Sequence, residues 1–285
     1  MRHVRKYFRI LAGQLIGVQP DMHIWWTPHL PIVHVANSKA GCSTINQSLK
    51  TAQASAYSSA GVDYSRHTSA HVSDDCLRER GLTPDTCQQR YLISSVRNPF
   101  ARALSAYLDK VDGDDHRLHN EVRHLRTVSF VDFLQALRNF RPQLMDRHFR
   151  PQHLNLNYPK ISYDAIFYLE NPTAIAGYVS QIVPGFKIDR FSPHARGALE
   201  KLEKYYDATT LQYVREIFAE DFDAFGYSRR IEDALSPPGS MIADGKILPL
   251  DSSLPALPSE LRHPRQPGTF ETTLRYQRLI EARLI

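Results

Sequence analysis

Lys39, Gly41, Ser43 and Thr44, in "VANSKAGCSTINQSLK" (residues 35–50), are residue types that bind anions. A β-branched run precedes them and a segment of helical character follows, so they sit in a tight strand-to-helix loop. Gly41 lets the backbone approach a ligand closely. The amide N–H groups of residues 41–44 open a helix, where they are outside the intrahelical ladder and face an anion. Ser43 and Thr44 add hydroxyl donors, and Lys39 adds a positive charge. Three familiar phosphate loops do not fit. In the pattern GxxxxGK[ST], Cys42 would stand at the lysine position and Ala36 at the first glycine. A cysteine phosphatase needs an arginine six residues after its cysteine, where this chain has Ser48. A dinucleotide fingerprint needs further glycines.

A second junction has the same character. "VRNPFARALSAY" (96–107) joins another buried strand to a helix, with Arg97 at the strand's carboxyl end and Arg102 and Ser105 on the helix. The carboxyl ends of parallel strands are the usual ligand side of an α/β sheet. An arginine there can make a forked contact to phosphate that a lysine cannot.

The elements that position these residues follow from periodicity and punctuation. Residues 31–36, 90–96 and 164–169 read as buried strands. Helices are expected over about 42–58, from Asn98 (cap) and Pro99 (first turn) to Lys110, over 129–137 with Ser129 as cap, and over 172–181 and 207–223. Strands alternating with helices predict an α/β fold, a single domain with a mainly parallel central sheet flanked by helices. Residues 1–30 are expected to be an N-terminal helical segment and 31–235 the main domain. Residues 236–285, rich in proline, read as an extended tail or arm with a short helix near 270–283.

The 285 residues carry a formal charge of +5, which suits an anionic ligand. No dense basic stripe marks a nucleic-acid binder, so no nucleic-acid partner is expected. Cys42, Cys76 and Cys87 have no CxxC spacing, which argues against a disulfide framework or a cysteine zinc site and for a reducing, cytoplasmic location. The basic, then apolar N-terminus is too short to span a bilayer. It reads as a packed helix, with peripheral contact to an anionic membrane surface as the alternative. Oligomeric state is not legible.

Taken together, "SKAGCST" and "VRNPFARALSAY" resemble the paired nucleotide motifs of sulfotransferases. They are most similar to the carbohydrate sulfotransferase family that includes the chondroitin and heparan enzymes, with a fold related to phosphate-loop enzymes. "HFRPQ" (148–152), "YDAIFYLEN" (163–171) and "VREIFAEDFDAFGY" (214–227) fit the same family, so the likeness runs from about residue 31 to 228. The resemblance implies 3′-phosphoadenosine 5′-phosphosulfate as donor, no metal, and a carbohydrate or glycolipid acceptor. It implies that Lys39, Ala40, Gly41, Cys42, Ser43 and Thr44 hold the 5′-phosphosulfate, and that Arg97 and Ser105 hold the 3′-phosphate. Cys42 departs from the family, where threonine is common; its N–H can still serve.

The expected chemistry is in-line transfer of a sulfuryl group to a hydroxyl, with Lys39 meeting charge on the leaving phosphate. A base must take the acceptor proton. "AHVS" is similar to the segment carrying the catalytic histidine in uronyl 2-O-sulfotransferases, which implies His71, with His67 as runner-up. His148 is expected to contact the acceptor or shape its cleft. Glu170 is a candidate for orienting a basic side chain. The competing readings are a kinase-like phosphoryl-transfer enzyme, which lacks its loop lysine here, and a non-catalytic nucleotide-binding module.

Overall fold

The structure is a computed structural model that describes residues 22–26, 30–59, 77–80, 90–112, 128–188 and 201–258. Its centre is a seven-stranded sheet: β1 (His23–Trp26), β2 (Ile32–Val35), β3 (Leu77–Arg80), β4 (Tyr91–Val96), β5 (Ala165–Tyr168), β6 (Met241–Ala243) and β7 (Lys246–Leu248). The spatial order is β3-β1-β2-β4-β5-β6-β7. The middle strands β2, β4 and β5 run parallel. Antiparallel strands extend the sheet at both edges.

The crossovers of the parallel core are helical, because parallel neighbours cannot be joined by a tight turn. Helix α1 (Cys42–Ser59) follows β2 and α2 (Pro99–Lys110) follows β4. Beyond them come α3 (Phe130–Arg138), α4 (Gln152–Leu156), α5 (Pro172–Ile182), α6 (Leu202–Tyr205), α7 (Ala208–Ile217) and α8 (Ala219–Ala224). Side chains alternate between faces with the period of two that a strand imposes. Val33, Val35, Leu92, Val96, Ile166 and Tyr168 join Phe100, Leu104, Phe133 and Phe222 on one face. Ile32, Ile93, Ala165 and Phe167 join Ile45, Leu49, Ile175 and Tyr178 on the other. Both faces are therefore covered, which explains why the central strands read as continuous apolar runs.

The expected caps are present. Asn98 Oδ1 accepts from the Phe100 amide at 3.0 Å, with Pro99 in the first turn. Ser129 Oγ accepts from the Asp132 amide at 3.3 Å. Three expectations need correction. The helical reading of 1–30 does not hold at His23–Trp26, which pair with β2 as a strand. The extended reading of 236–285 does not hold at β6 and β7, a hairpin that continues the sheet from β5. Its turn is Asp244–Gly245, both in left-handed backbone, the pairing that a tight hairpin favours. The single helix expected over 207–223 is two, because Phe218 (φ −112°, ψ 25°) leaves helical geometry between them and buries its ring. The expected helix near 270–283 and the basic N-terminal segment before Met22 lie outside the described residues. Among those described, no helix is long and apolar enough to cross a membrane.

One core residue predicts an acid sensitivity. His34 on β2 is fully buried, and its Nδ1 lies 2.6 Å from Asn46 Oδ1. Nε2 is buried without a partner among the described residues. Burial pushes its pKa down to about 4, against the pull of Asn46. A histidine with a depressed folded pKa binds fewer protons folded than unfolded, so stability falls as pH drops below about 6.5 and levels off near the folded value. Urea unfolding should show a loss of about 2 kcal/mol from His34 between pH 7 and pH 5. That component should vanish in His34→Gln; an unchanged pH slope would show that His34 is not its source.

Candidate active site: two anion junctions held together

Because β2 and β4 are parallel neighbours, their carboxyl ends lie on one edge of the sheet. The loop from Ala36 to Gly41 and the Arg97–Asn98 junction emerge side by side. Polar bonds stitch the first onto the second strand. Ser94 Oγ donates to the Val35 carbonyl at 2.7 Å, and Ser95 Oγ donates to the Ala40 carbonyl at 2.6 Å. Asn37 Nδ2 donates to the Ser95 carbonyl at 2.9 Å.

The loop's own backbone is unusual. Gly41 has φ 80°, and a Cβ there would collide with Leu169 Cδ1. Lys39 has φ 68°, a left-handed conformation that costs a side-chain-bearing residue roughly 1–2 kcal/mol. Such local strain persists where the surroundings over-determine it, commonly at ligand sites. Here they do: the Lys39 carbonyl accepts from Arg97 Nη1 at 3.4 Å, and its ammonium pairs with Asp109 at 3.2 Å.

Helix α2 supplies the facing wall. Arg102, Ser105 and Asp109 recur at helical spacing on one stripe. Arg102 Nε donates to the Ser38 carbonyl at 3.0 Å, and Asp109 grips Lys39, so this stripe faces the loop. Ser105 lies between them, buried, and its hydroxyl has no partner among the described residues. Ser43, in the first turn of α1, likewise has a hydroxyl without a partner among the described residues. Cys42 opens α1 as a free, partly exposed thiol.

The electrostatics follow from burial opposed by pairing. Burial pushes the Lys39 ammonium below the ordinary lysine value, and Asp109 opposes it. Burial also works against an ionised Asp109, but Lys39 and Lys110 outweigh it and hold that carboxyl below the usual range. Burial lowers Arg97 as well, opposed by Glu170 and Tyr227. The Glu170 carboxyl is raised by burial, while the Asn98 amide at 2.8 Å, the Tyr227 hydroxyl at 2.9 Å and the nearby Arg97 charge favour its ionised form. Glu170 thus orients the Asn98 turn and adds a negative charge near Arg97.

The segment "HFRPQ" locks the two junctions to each other. Gln152 is fully buried and clamps the Arg97 peptide from both sides: Oε1 accepts from its N–H at 2.9 Å and Nε2 donates to its carbonyl at 2.8 Å. The same Oε1 accepts from Asn37 Nδ2 at 3.0 Å. Asn155 Nδ2 donates to both Asn37 Oδ1 (3.2 Å) and the Arg147 carbonyl (2.9 Å). Asp221, buried under α4, accepts the amides of Gln152 and His153 and holds the segment down.

A protein-family model described as "Sulfotransferase family" matches residues 22–228, more than half of the chain. The chain belongs to the sulfotransferase family. No curated protein and no solved structure matches it. The family match covers both junctions and "HFRPQ". In this sulfotransferase, Lys39, Ala40, Gly41, Cys42, Ser43 and Thr44 lie on the junction after β2, and Arg97 and Ser105 on the neighbouring junction and helix after β4. His148 lies on the turn just before α4. His67 and His71 lie outside the described residues. Sequence reasoning missed Asn37, Asp109, Gln152 and Asn155 as parts of this network.

The donor set fits a nucleotide carrying two separate anionic groups. One junction offers a helix N-terminus, hydroxyls and an ammonium; the other offers a guanidinium and the Ser105 hydroxyl. Among the described residues, no cluster of histidine, cysteine and carboxylate side chains could hold a metal ion.

Proposed function

We propose that this sulfotransferase moves a sulfuryl group from 3′-phosphoadenosine 5′-phosphosulfate to a hydroxyl of a carbohydrate or glycoconjugate acceptor. The observation that carries the reading is the pair of anion junctions fixed edge to edge by Gln152, Asn37 and Arg102. A donor with phosphates at both its 3′ and 5′ ends matches two such sites held at constant separation. A nucleoside diphosphate would use one of them.

Each residue has a physical task in this reading. The loop 39–44 receives the 5′ end through its amides and hydroxyls. Arg97 and Ser105 receive the 3′-phosphate. The Lys39 ammonium exchanges Asp109 for the leaving phosphate, whose negative charge grows as the sulfur–oxygen bond breaks. Prefixed donors cost little reorganisation, which is why the strained loop is held so firmly. The acceptor's proton goes to a histidine; His71, with His67 second, is implied by the family likeness. The acceptor class rests on the motifs shared with carbohydrate sulfotransferases.

Calorimetry tests the donor class. Adenosine 3′,5′-bisphosphate should bind in EDTA, and at least tenfold more tightly than ADP, because only it fills both junctions. Tighter binding of ADP, or binding only with magnesium, would favour the kinase-like reading instead.

A further inference from the structure

The turn that carries His148 is tied to the donor loop at two points, and no donor-binding task uses it. Arg102 bridges the Ser38 carbonyl and the Arg147 carbonyl with one guanidinium, at 3.0 and 3.1 Å. Asn155 bridges Asn37 and the same Arg147 carbonyl. Asp109 joins Lys39 to Lys110, at 3.2 and 3.1 Å, and the Lys110 charge acts on His148. Through the Arg147 carbonyl, the turn that carries His148 is held against the loop that carries the Lys39 ammonium.

The imidazole itself is set up as an acceptor. Asp146 Oδ1 sits 2.6 Å from His148 Nδ1 and 2.9 Å from its amide, which places the proton on Nδ1 and leaves Nε2 with its lone pair. Among the described residues nothing partners Nε2, and the side chain is 15 % exposed, so part of the ring remains open to solvent.

We propose that His148, oriented by Asp146, is the general base that takes the acceptor hydroxyl's proton. The inference rests on the sulfuryl-transfer reading and replaces His71 in one step of it. The acceptor oxygen bonds to sulfur as the bond from sulfur to the phosphate oxygen breaks. That bond's electron pair leaves with adenosine 3′,5′-bisphosphate, and the hydroxyl proton passes to Nε2.

The charged groups that act on His148 set the pH response. Burial pushes its pKa below the ordinary histidine value, Asp146 pulls it up, and Arg147 and Lys110 push it down. The neutral ring is the active form. The rate should therefore rise with pH along a limb lying below about pH 6.5 and be flat near neutrality.

The test uses the full chain, the sulfate donor and a panel of glycans. His148→Gln should lower kcat by about 10²–10⁴-fold, the range for a general base, with calorimetric affinity for adenosine 3′,5′-bisphosphate unchanged. Asp146→Asn removes the upward pull, so the ascending limb should move to lower pH, a shift that a merely structural aspartate would not cause. Should His148→Gln not fold, that shift decides. The proposal is overturned by near-normal kcat in His148→Gln, by a loss confined to His71→Ala or His67→Ala, or by a pH limb indifferent to Asp146→Asn. A wild-type chain that binds the bisphosphate but turns over no donor overturns the transferase reading and this base with it.

Discussion

Lys39→Ala is expected to lower kcat by about 10²–10³-fold while the fold survives. The loss is large because the interaction strengthens in the transition state. Charge builds on the phosphate oxygen as the sulfuryl group departs, and a buried ammonium released from Asp109 meets it in a site of low dielectric. Stability should hold because Asp109 keeps Lys110 at 3.1 Å when Lys39 is removed. Alanine tolerates the left-handed backbone at this position no better and no worse than lysine, so the strain is unchanged. Affinity for the bisphosphate product should fall less than kcat does. A collapse in melting temperature that matches the loss of rate would make Lys39 a structural partner of Asp109.

Arg97→Ala is expected to weaken binding of adenosine 3′,5′-bisphosphate by roughly 1.5–3 kcal/mol, the scale of a charged hydrogen bond. Adenosine 5′-phosphate, which has no 3′-phosphate, should lose far less. The contrast is interpretable because the Arg97 backbone is clamped by Gln152, so truncating the side chain leaves the junction in place. Glu170 also keeps the Asn98 amide and the Tyr227 hydroxyl. Arg97→Lys should recover only part of the loss, since the ammonium keeps the charge and not the fork. Equal losses for both nucleotides would remove the 3′-phosphate role.

Much of this architecture is legible in local sequence because local forces set it. The strands before Lys39 and Arg97 are buried on both faces and read as apolar runs. Asn98–Pro99 announces α2 through a cap and a fixed φ. The edges are harder. "HIWW" forms only a four-residue strand, too short for a periodicity to show. Asp244–Gly245 was a usable hairpin signal, masked by the surrounding prolines. The network that unites the site is not local at all. Gln152 reaches Arg97 across 55 positions, and Asn155 reaches Asn37 across 118. No spacing rule links such residues; only the packing of α4 against the strand ends brings them together. Asp109 was hidden for a related reason. One turn beyond Ser105 on a helix, an aspartate looks like a solvated charge until the loop that carries Lys39 folds over it.

The most direct measurement follows the sulfur. The full chain is incubated in EDTA with donor labelled in its sulfuryl group and with a panel of glycans and glycolipids. Label should appear as a sulfate ester on an acceptor hydroxyl, one equivalent for each adenosine 3′,5′-bisphosphate released. Donor that binds without any label reaching a hydroxyl, or a phosphoryl group moved from ATP with magnesium in its place, would contradict sulfuryl transfer.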